Sequence, residues 1–291
     1  METAASFQLA CGREISYTLT MPNAPFPVVI LSQPHCFSLD VWDDVVAHLG
    51  RLSVRVLRYN PPGHGNSGVP ANLSETTFES LADDVHALLS HLGIKNLYAW
   101  VGSGFGAATA AVFAARYPDF VWKLVLCDAI IRSPVNWGTQ DFFKTRVIAA
   151  RKAGSLEPDI NEAMNRYFGS AWLSSQPLSA HVGMAMRSTS LDGFETCCAA
   201  LDSPSFDLGP LAAKIGSNIG LALFLHGDRN YDHFMDDLRD GIIRGQRIRT
   251  LRSGKGPTPS VPIQMIQGGG RVSFVDGFDH FMNTLMNFLT A

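Results

Sequence analysis

The strongest constraint on this chain is a repeated alternation of two patterns. Short apolar runs rich in β-branched residues give way to segments with apolar residues at helical spacing. SYTLT (16–20), PVVILS (27–32), SVRVLRY (53–59), NLYAWVG (96–102), WKLVLCD (122–128), LALFLHG (221–227) and VPIQMIQ (261–267) read as strands. VWDDVVAHLG (41–50) and SETTFESLADDVHALLSHLG (74–93) read as helices closing on Gly50 and Gly93, the second opening on an S-x-x-T cap. GAATAAVFAARYP (106–118) and FDHFMNTLMNFL (278–289) read as helices too. Strands joined through helices must run parallel, so the pattern predicts a doubly wound, mostly parallel α/β sheet covered on both faces.

The rhythm breaks between Asp128 and Asn218, where helical patterns rich in aromatic and Met residues contain no convincing strand. This predicts a helical cap over 131–215, inserted after the sixth sheet strand into a core of 1–130 and 216–291. RGQRIRTLRSGKGPTP (244–259) is basic and ends in Gly and Pro. It reads as a surface loop, either a solvated face or an anion contact. No internal repeat is visible.

Composition narrows the function classes. The 291 residues are 46% hydrophobic and 17% charged, with a net charge of −3 and no block of one sign. That balance argues against a nucleic-acid binder. No apolar run reaches membrane-spanning length, and METAASFQLACGREISY lacks the basic and apolar segments of a signal peptide. Five cysteines without framework spacing predict reduced thiols and a cytoplasmic setting. No metal-ligand spacing is present, and neither a metal nor another cofactor is expected.

Several stretches together resemble the α/β-hydrolase superfamily, and more closely enzymes like 3-oxoadipate enol-lactonases. They are LSQPHCFSLDVW (31–42), RYNPPGHGNS (58–67), LADDVHALLSHLGI (81–94), LVLCDA (124–129) and DGFETCCAALDSPSFDL (192–208). The likeness covers almost the whole chain outside 244–259. It implies a nucleophile on a strand-to-helix elbow, G-x-S-x-G, with an acid and a histidine supplied by later loops.

In WVGSGFGAATA (100–110), Gly102 and Gly106 take the flanking elbow positions, which puts Gly104 where the nucleophile would stand. Ser103 is adjacent, but a neighbouring position on a tight turn points elsewhere. In HGDRN the acid position falls on Asn230, which cannot carry the charge that stabilises an imidazolium. Asp228 and Asp232 are close in sequence but lie in different directions along the loop. In IQGGGRVSFVD (266–276) the histidine position falls on Arg271, and a guanidinium cannot serve as a general base. His280, nine residues on, reads as a surface helix residue. The resemblance therefore implies that all three triad positions are replaced, which excludes an acyl-enzyme.

What remains is an oxyanion hole from the N–H groups of His35 and Phe105, whose individual donors are worth about 2.7–4 kcal/mol in hydrolases. An apolar cap pocket would add Trp137, Phe142, Phe143, Trp172, Met184 and Met186, each of which also reads as ordinary cap core. Gly104, Phe105 and Ser103 would meet the substrate at the pocket floor. Arg271 reads either as a cation for a ligand carboxylate, enolate or carbonyl, or as a structural partner of Asp128 or Asp228. His35 reads either as an acid or base or as a hydrogen-bonded loop residue. Cys36 is a nucleophile or an inert buried thiol. His64 reads as part of a structural turn, and His226 as a residue behind the site. Arg271, His35 and Asn230 are the expected catalytic residues. The reading is a non-hydrolytic cyclase, isomerase or lyase for a small apolar carbonyl compound, with neither nucleic acid nor membrane as a partner and the oligomeric state left open. The alternatives are an inactive small-molecule binder and residual hydrolysis through Ser103 or Cys36.

Overall fold

The computed structural model describes residues 2–139, 141–229, 234–254 and 259–291. Eight strands form one sheet in the order β1-β2-β4-β3-β5-β6-β7-β8. They are β1 (Glu2–Gln8), β2 (Glu14–Thr20), β3 (Val28–Ser32), β4 (Arg55–Tyr59), β5 (Leu97–Ser103), β6 (Val121–Cys127), β7 (Leu221–Gly227) and β8 (Ile263–Ile266). From β4 to β8 every pairing is parallel. At the other edge β1, β2 and β4 pair antiparallel. The central strands are almost wholly buried, β3 (VVILS) along its entire length, which explains their apolar runs. β1 carries no strand pattern in the sequence: ETAASFQ is largely exposed and owes its strand state to pairing with β2.

The helices are α1 (Asp43–Leu49), α2 (Phe78–His91), α3 (Phe105–Arg116), α4 (Phe142–Ala153), α5 (Glu157–Phe168), α6 (Ser170–Ser175), α7 (Leu178–Arg187), α8 (Leu191–Asp202), α9 (Ala212–Asn218), α10 (Phe234–Ser253), α11 (Ser273–Asp276) and α12 (Phe278–Thr290). α2 begins later than its sequence pattern suggests. Thr77, not Ser74, is the N-cap and forms a reciprocal capping box with Ser80, while Ser74 bonds to the Asn72 side chain. α3 is buried on all sides, which its run of Ala and Gly permits. The stretch 244–253, expected as a loop, is the second half of α10, and 255–258 lie outside the described residues. Its Arg, Gln and Leu residues favour a helix, and α10 packs on α9 with Ile242 and Gln246 buried.

Helices α4 to α8 lie between β6 and α9 and reach over the loops that follow the parallel strands. Ser38 N–H donates to Ala185 O at 2.9 Å, and Gly65 N–H to Ser188 O at 3.0 Å. The Thr76 and Thr196 hydroxyls meet at 2.6 Å. Gly63 and Gly193 touch backbone to backbone, where a Cβ on Gly63 would lie 2.3 Å from the Gly193 Cα.

Candidate functional site

The elbow is built from three adjoining strands. β5 runs between β3 and β6, placing Gly102 beside Ser32 and Ser103 beside Cys127. The chain then turns at Gly104, with φ 53° and ψ −110°, and enters α3 at Phe105. A Cβ on Gly102 would lie 2.6 Å from Gly106 O, and one on Gly106 would lie 2.3 Å from Ser32 O. Those two glycines are therefore required by close backbone approach. Gly104 is different: its Cβ would meet only Pro34, at 3.4 Å. The turn is held by Gly104 N–H donating to Cys127 O at 2.9 Å and Gly106 N–H donating to Gln33 O at 3.0 Å. Ser32 Oγ accepts from the Trp100 indole at 2.8 Å and donates to Gly106 O at 3.0 Å. Ser103 is fully buried, and its hydroxyl finds no hydrogen-bond partner among the described residues.

His35 stands over this turn. Its ring stacks on Phe194 at 5.2 Å, meets Phe143 edge-on at 6.2 Å and lies 5.9 Å from Phe105. Cys36 Sγ is 3.4 Å from Nδ1, and Cys198 Sγ is 3.8 Å from Nε2. Burial pushes the His35 pKa well below its ordinary value, and the charge of Arg146 and the nearby His64 push the same way. The ring is thus neutral at physiological pH. Burial also drives the Cys36 and Cys198 thiols well up, so neither presents a thiolate.

Two groups around the elbow carry no motif in the sequence. The first is Arg146 on α4, whose guanidinium lies 5.6 Å from the centre of the Phe143 ring and 5.5 Å from that of Phe194. It forms a two-pronged pair with Asp159 on α5, at 2.8 and 2.7 Å. Burial opposes its charge, but the Asp159 bonds and charge outweigh this and hold it protonated. The second is Asp128, just after β6. Its carboxylate accepts from His226 Nδ1 at 2.8 Å, Gly227 N–H at 2.9 Å, Ser273 Oγ at 2.6 Å and Ser273 N–H at 3.3 Å. It ties together the ends of β6, β7 and the turn after β8. The carboxylate sits between the serine and the imidazole, so this is not the serine–histidine–acid order of a charge-stabilised nucleophile.

The expected site residues do not gather at one point. Arg271 is exposed on the loop after β8, and neither Asp128 nor Asp228 pairs with it. Asp228 accepts instead from Gly268 N–H at 3.1 Å. Asn230 and Asp232 lie outside the described residues. His280 is not a plain surface residue, since its Nδ1 accepts from Gln267 N–H at 3.0 Å. His226 is bound to Asp128, as above. His64 is buried within its turn, with Nδ1 donating to Pro62 O at 2.9 Å. The cap aromatics divide: Phe143 joins the His35 box and Met186 is fully buried, while Trp172 stacks on Phe168 at 4.5 Å. Trp137, Phe142 and Met184 are exposed at 46%, 44% and 62%, so the expected common lining is not formed. Apolar content marks these helices as amphipathic, but only packing decides which face meets the core.

A groove of about 520 Å³ runs between α4, α8 and the loop before α2, with Thr76, Val147 and Cys198 among its walls. Its acids are engaged: Glu195 pairs with Arg151, and Asp202 accepts from the N–H groups of Phe143 and Lys144. Among the described residues no group of three or more His, Cys, Asp or Glu is placed to hold a metal. Nor is any helix there long and apolar enough to cross a membrane.

A family model described as the alpha/beta hydrolase fold matches residues 27–171. The sheet order, the elbow and the inserted helices agree with that match, and the chain is an α/β-hydrolase-fold protein. It is similar to homoserine O-acetyltransferase of Natronomonas pharaonis, 28% identical over 193 residues, covering 59% of this chain and 46% of that protein. It is also similar to protein ABHD8 of Homo sapiens, 29% identical over 89 residues, covering 31% and 20%. The chain thus spans less than half the length of these two curated relatives. Among solved structures, the enol-lactonase from Burkholderia xenovorans LB400 superposes with a TM-score of 0.80 at 24% identity, covering 99% of this chain and 100% of that one. A hydrolase from Pseudomonas aeruginosa PA01 gives 0.79 at 20% identity, with 99% of each chain covered. At these identities the likeness is one of fold.

Proposed function

We propose that this protein acts on a small, largely apolar carbonyl compound without an acyl-enzyme, as an isomerase, cyclase or lyase. The observation that carries this reading is the backbone of the elbow, kept in its turned form with glycine at its apex. Gly104 offers space where an attacking oxygen would stand. The N–H groups of Phe105 and His35 are the donors suited to polarise a carbonyl placed there. The triad is replaced at Gly104, Asn230 and Arg271, so neither the nucleophile nor the histidine base of hydrolysis is supplied. Holding a flexible substrate in a reactive shape can itself lower a barrier by about 7–11 kcal/mol in favourable cases. The likeness to a protein named an enol-lactonase supports an enol or lactone carbonyl as the recognised group. A second reading, binding without turnover, is favoured by the buried state of His35, Cys36 and Cys198, which leaves them neutral.

The test is incubation with a panel of small lactones, enones and enols, followed by product mass. Products of unchanged mass, or cleavage without added water, support the proposal, and His35→Pro, which removes that backbone N–H, should then lower turnover by about tenfold or more. Products carrying one added water, with labelling by a fluorophosphonate, would overturn it. Saturable binding with no product selects the second reading. Gly104→Ser should gain no ester turnover, because an added hydroxyl still lacks a base.

A further inference from the structure

We infer that Arg166, Arg229 and Arg271 form a binding site for a small oxyanion group, a carboxylate or a phosphate, at the junction of α5 with the loops after β7 and β8. These three residues line one recess of about 150 Å³, together with Asn165, Tyr167, Phe168, Gly169 and Gly270. Arg166 comes from the inserted helices; Arg229 and Arg271 come from two loops of the sheet. The sides are in direct contact: a Cβ on Gly270 would lie 2.4 Å from Tyr167 O, so only glycine lets the loop seat against the end of α5. An anion held here would touch both parts of the molecule at once.

The charges are uneven. Arg229 pairs with Asp276, whose side chain has no exposure and which also accepts from Gly270 N–H at 2.9 Å. That pair fixes Arg229 and the Gly270 loop in place, and Arg229 also leans on Phe168 O at 3.4 Å. Arg166 pairs at 3.0 Å with Glu162, but Glu162 is 73% exposed, and such a solvent-screened pair is readily shared with a second anion. Arg271 has no carboxylate partner among the described residues. Three guanidiniums thus stand against one buried and one largely exposed carboxylate, which leaves Arg271 without a carboxylate and Arg166 with a solvent-screened one. A guanidinium presents paired N–H donors that match the two oxygens of a carboxylate or phosphate. The space suits a group of that size and not a large ligand. This inference does not depend on turnover, nor on the elbow.

Titration calorimetry with succinate and with inorganic phosphate, at an ionic strength balanced by chloride, tests it directly. At least one of the two should bind saturably, and which one identifies the recognised group. Arg271→Ala and Arg166→Ala should each weaken that binding about tenfold, with the double variant showing none. Both residues are on the surface, so unchanged circular dichroism and unfolding midpoints should accompany the loss. Arg51→Ala, which removes an exposed arginine elsewhere, should bind as the wild type does. The inference is overturned if neither anion binds saturably, if both recess variants bind like the wild type, or if Arg51→Ala weakens binding equally. Because the readout is binding, its failure leaves the proposal for the elbow standing, and the reverse also holds.

Discussion

Two glycines on either side of Phe105 do different work. A side chain on Gly106 would collide with the Ser32 carbonyl, part of a rigid β3. A side chain on Gly104 meets almost nothing, and its cost comes from the positive φ alone. Gly106→Ala is therefore expected to lose at least about 3 kcal/mol, since backbone must move to admit the methyl group. Gly104→Ala is expected to lose about 1–2 kcal/mol. Urea unfolding of the two variants checks the order, and equal losses would mean that the elbow is looser than its contacts indicate. The spacing of the elbow glycines was legible in the sequence because each step of the motif is local. Arg146, Asp159 and Asp128 were not, because their partners lie on other elements and no spacing announces them.

Among the elements, α9 and α10 show how sequence and packing can diverge. Their glycines are poor helix formers, yet they sit where the two backbones meet. A Cβ on Gly245 would lie 2.0 Å from Ala213 O, and one on Gly216 would lie 2.0 Å from Ile242 O. Propensity alone would have Gly245→Ala stabilise by about 1 kcal/mol. We expect the opposite, a loss of about 1–3 kcal/mol, because the methyl group must push the helices apart. A raised unfolding midpoint would show that α9 and α10 separate freely. The same close packing explains why 244–253, basic and irregular as a string of letters, is helical. Its apolar residues are too sparse for a clear pattern, and α9 supplies the missing support.

For the whole molecule, buried titratable groups couple stability to pH. Burial lowers the His64 pKa to about 4, and it lowers that of His35 well below the ordinary 6.5, with Arg146 and His64 adding to the effect. In the unfolded chain both imidazoles take up protons near pH 6.5. Their contribution is therefore fully present above about pH 6.5 and is lost as the pH falls towards 4. Asp276 works the other way. Burial raises its pKa from 3.8 to about 6, so the folded chain holds this proton more tightly and gains stability as the pH falls through about 6. Burial raises Asp84 in the same sense, but the two fully buried imidazoles outweigh the two carboxyls, and the urea midpoint should be lower at about pH 5 than at pH 7. Asp276→Asn should make that decline steeper. A midpoint that rises on acidification would contradict this balance.

The sequence by itself determined the class of fold, the order of the parallel strands along the chain, the inserted helical stretch and the turn at Gly104. Those follow from periodicity and glycine spacing, which act over a few residues. Tertiary structure alone decided that ETAASFQ would be a strand, because an edge strand is made by its partner. It also decided that His35 would sit neutral inside an aromatic box, that Asp128 would bind three strand ends, and that Arg166, Arg229 and Arg271 would share one recess. Each of these brings together residues far apart in the chain. Burial and pairing set their charge and exposure, and neither can be read before the chain has folded.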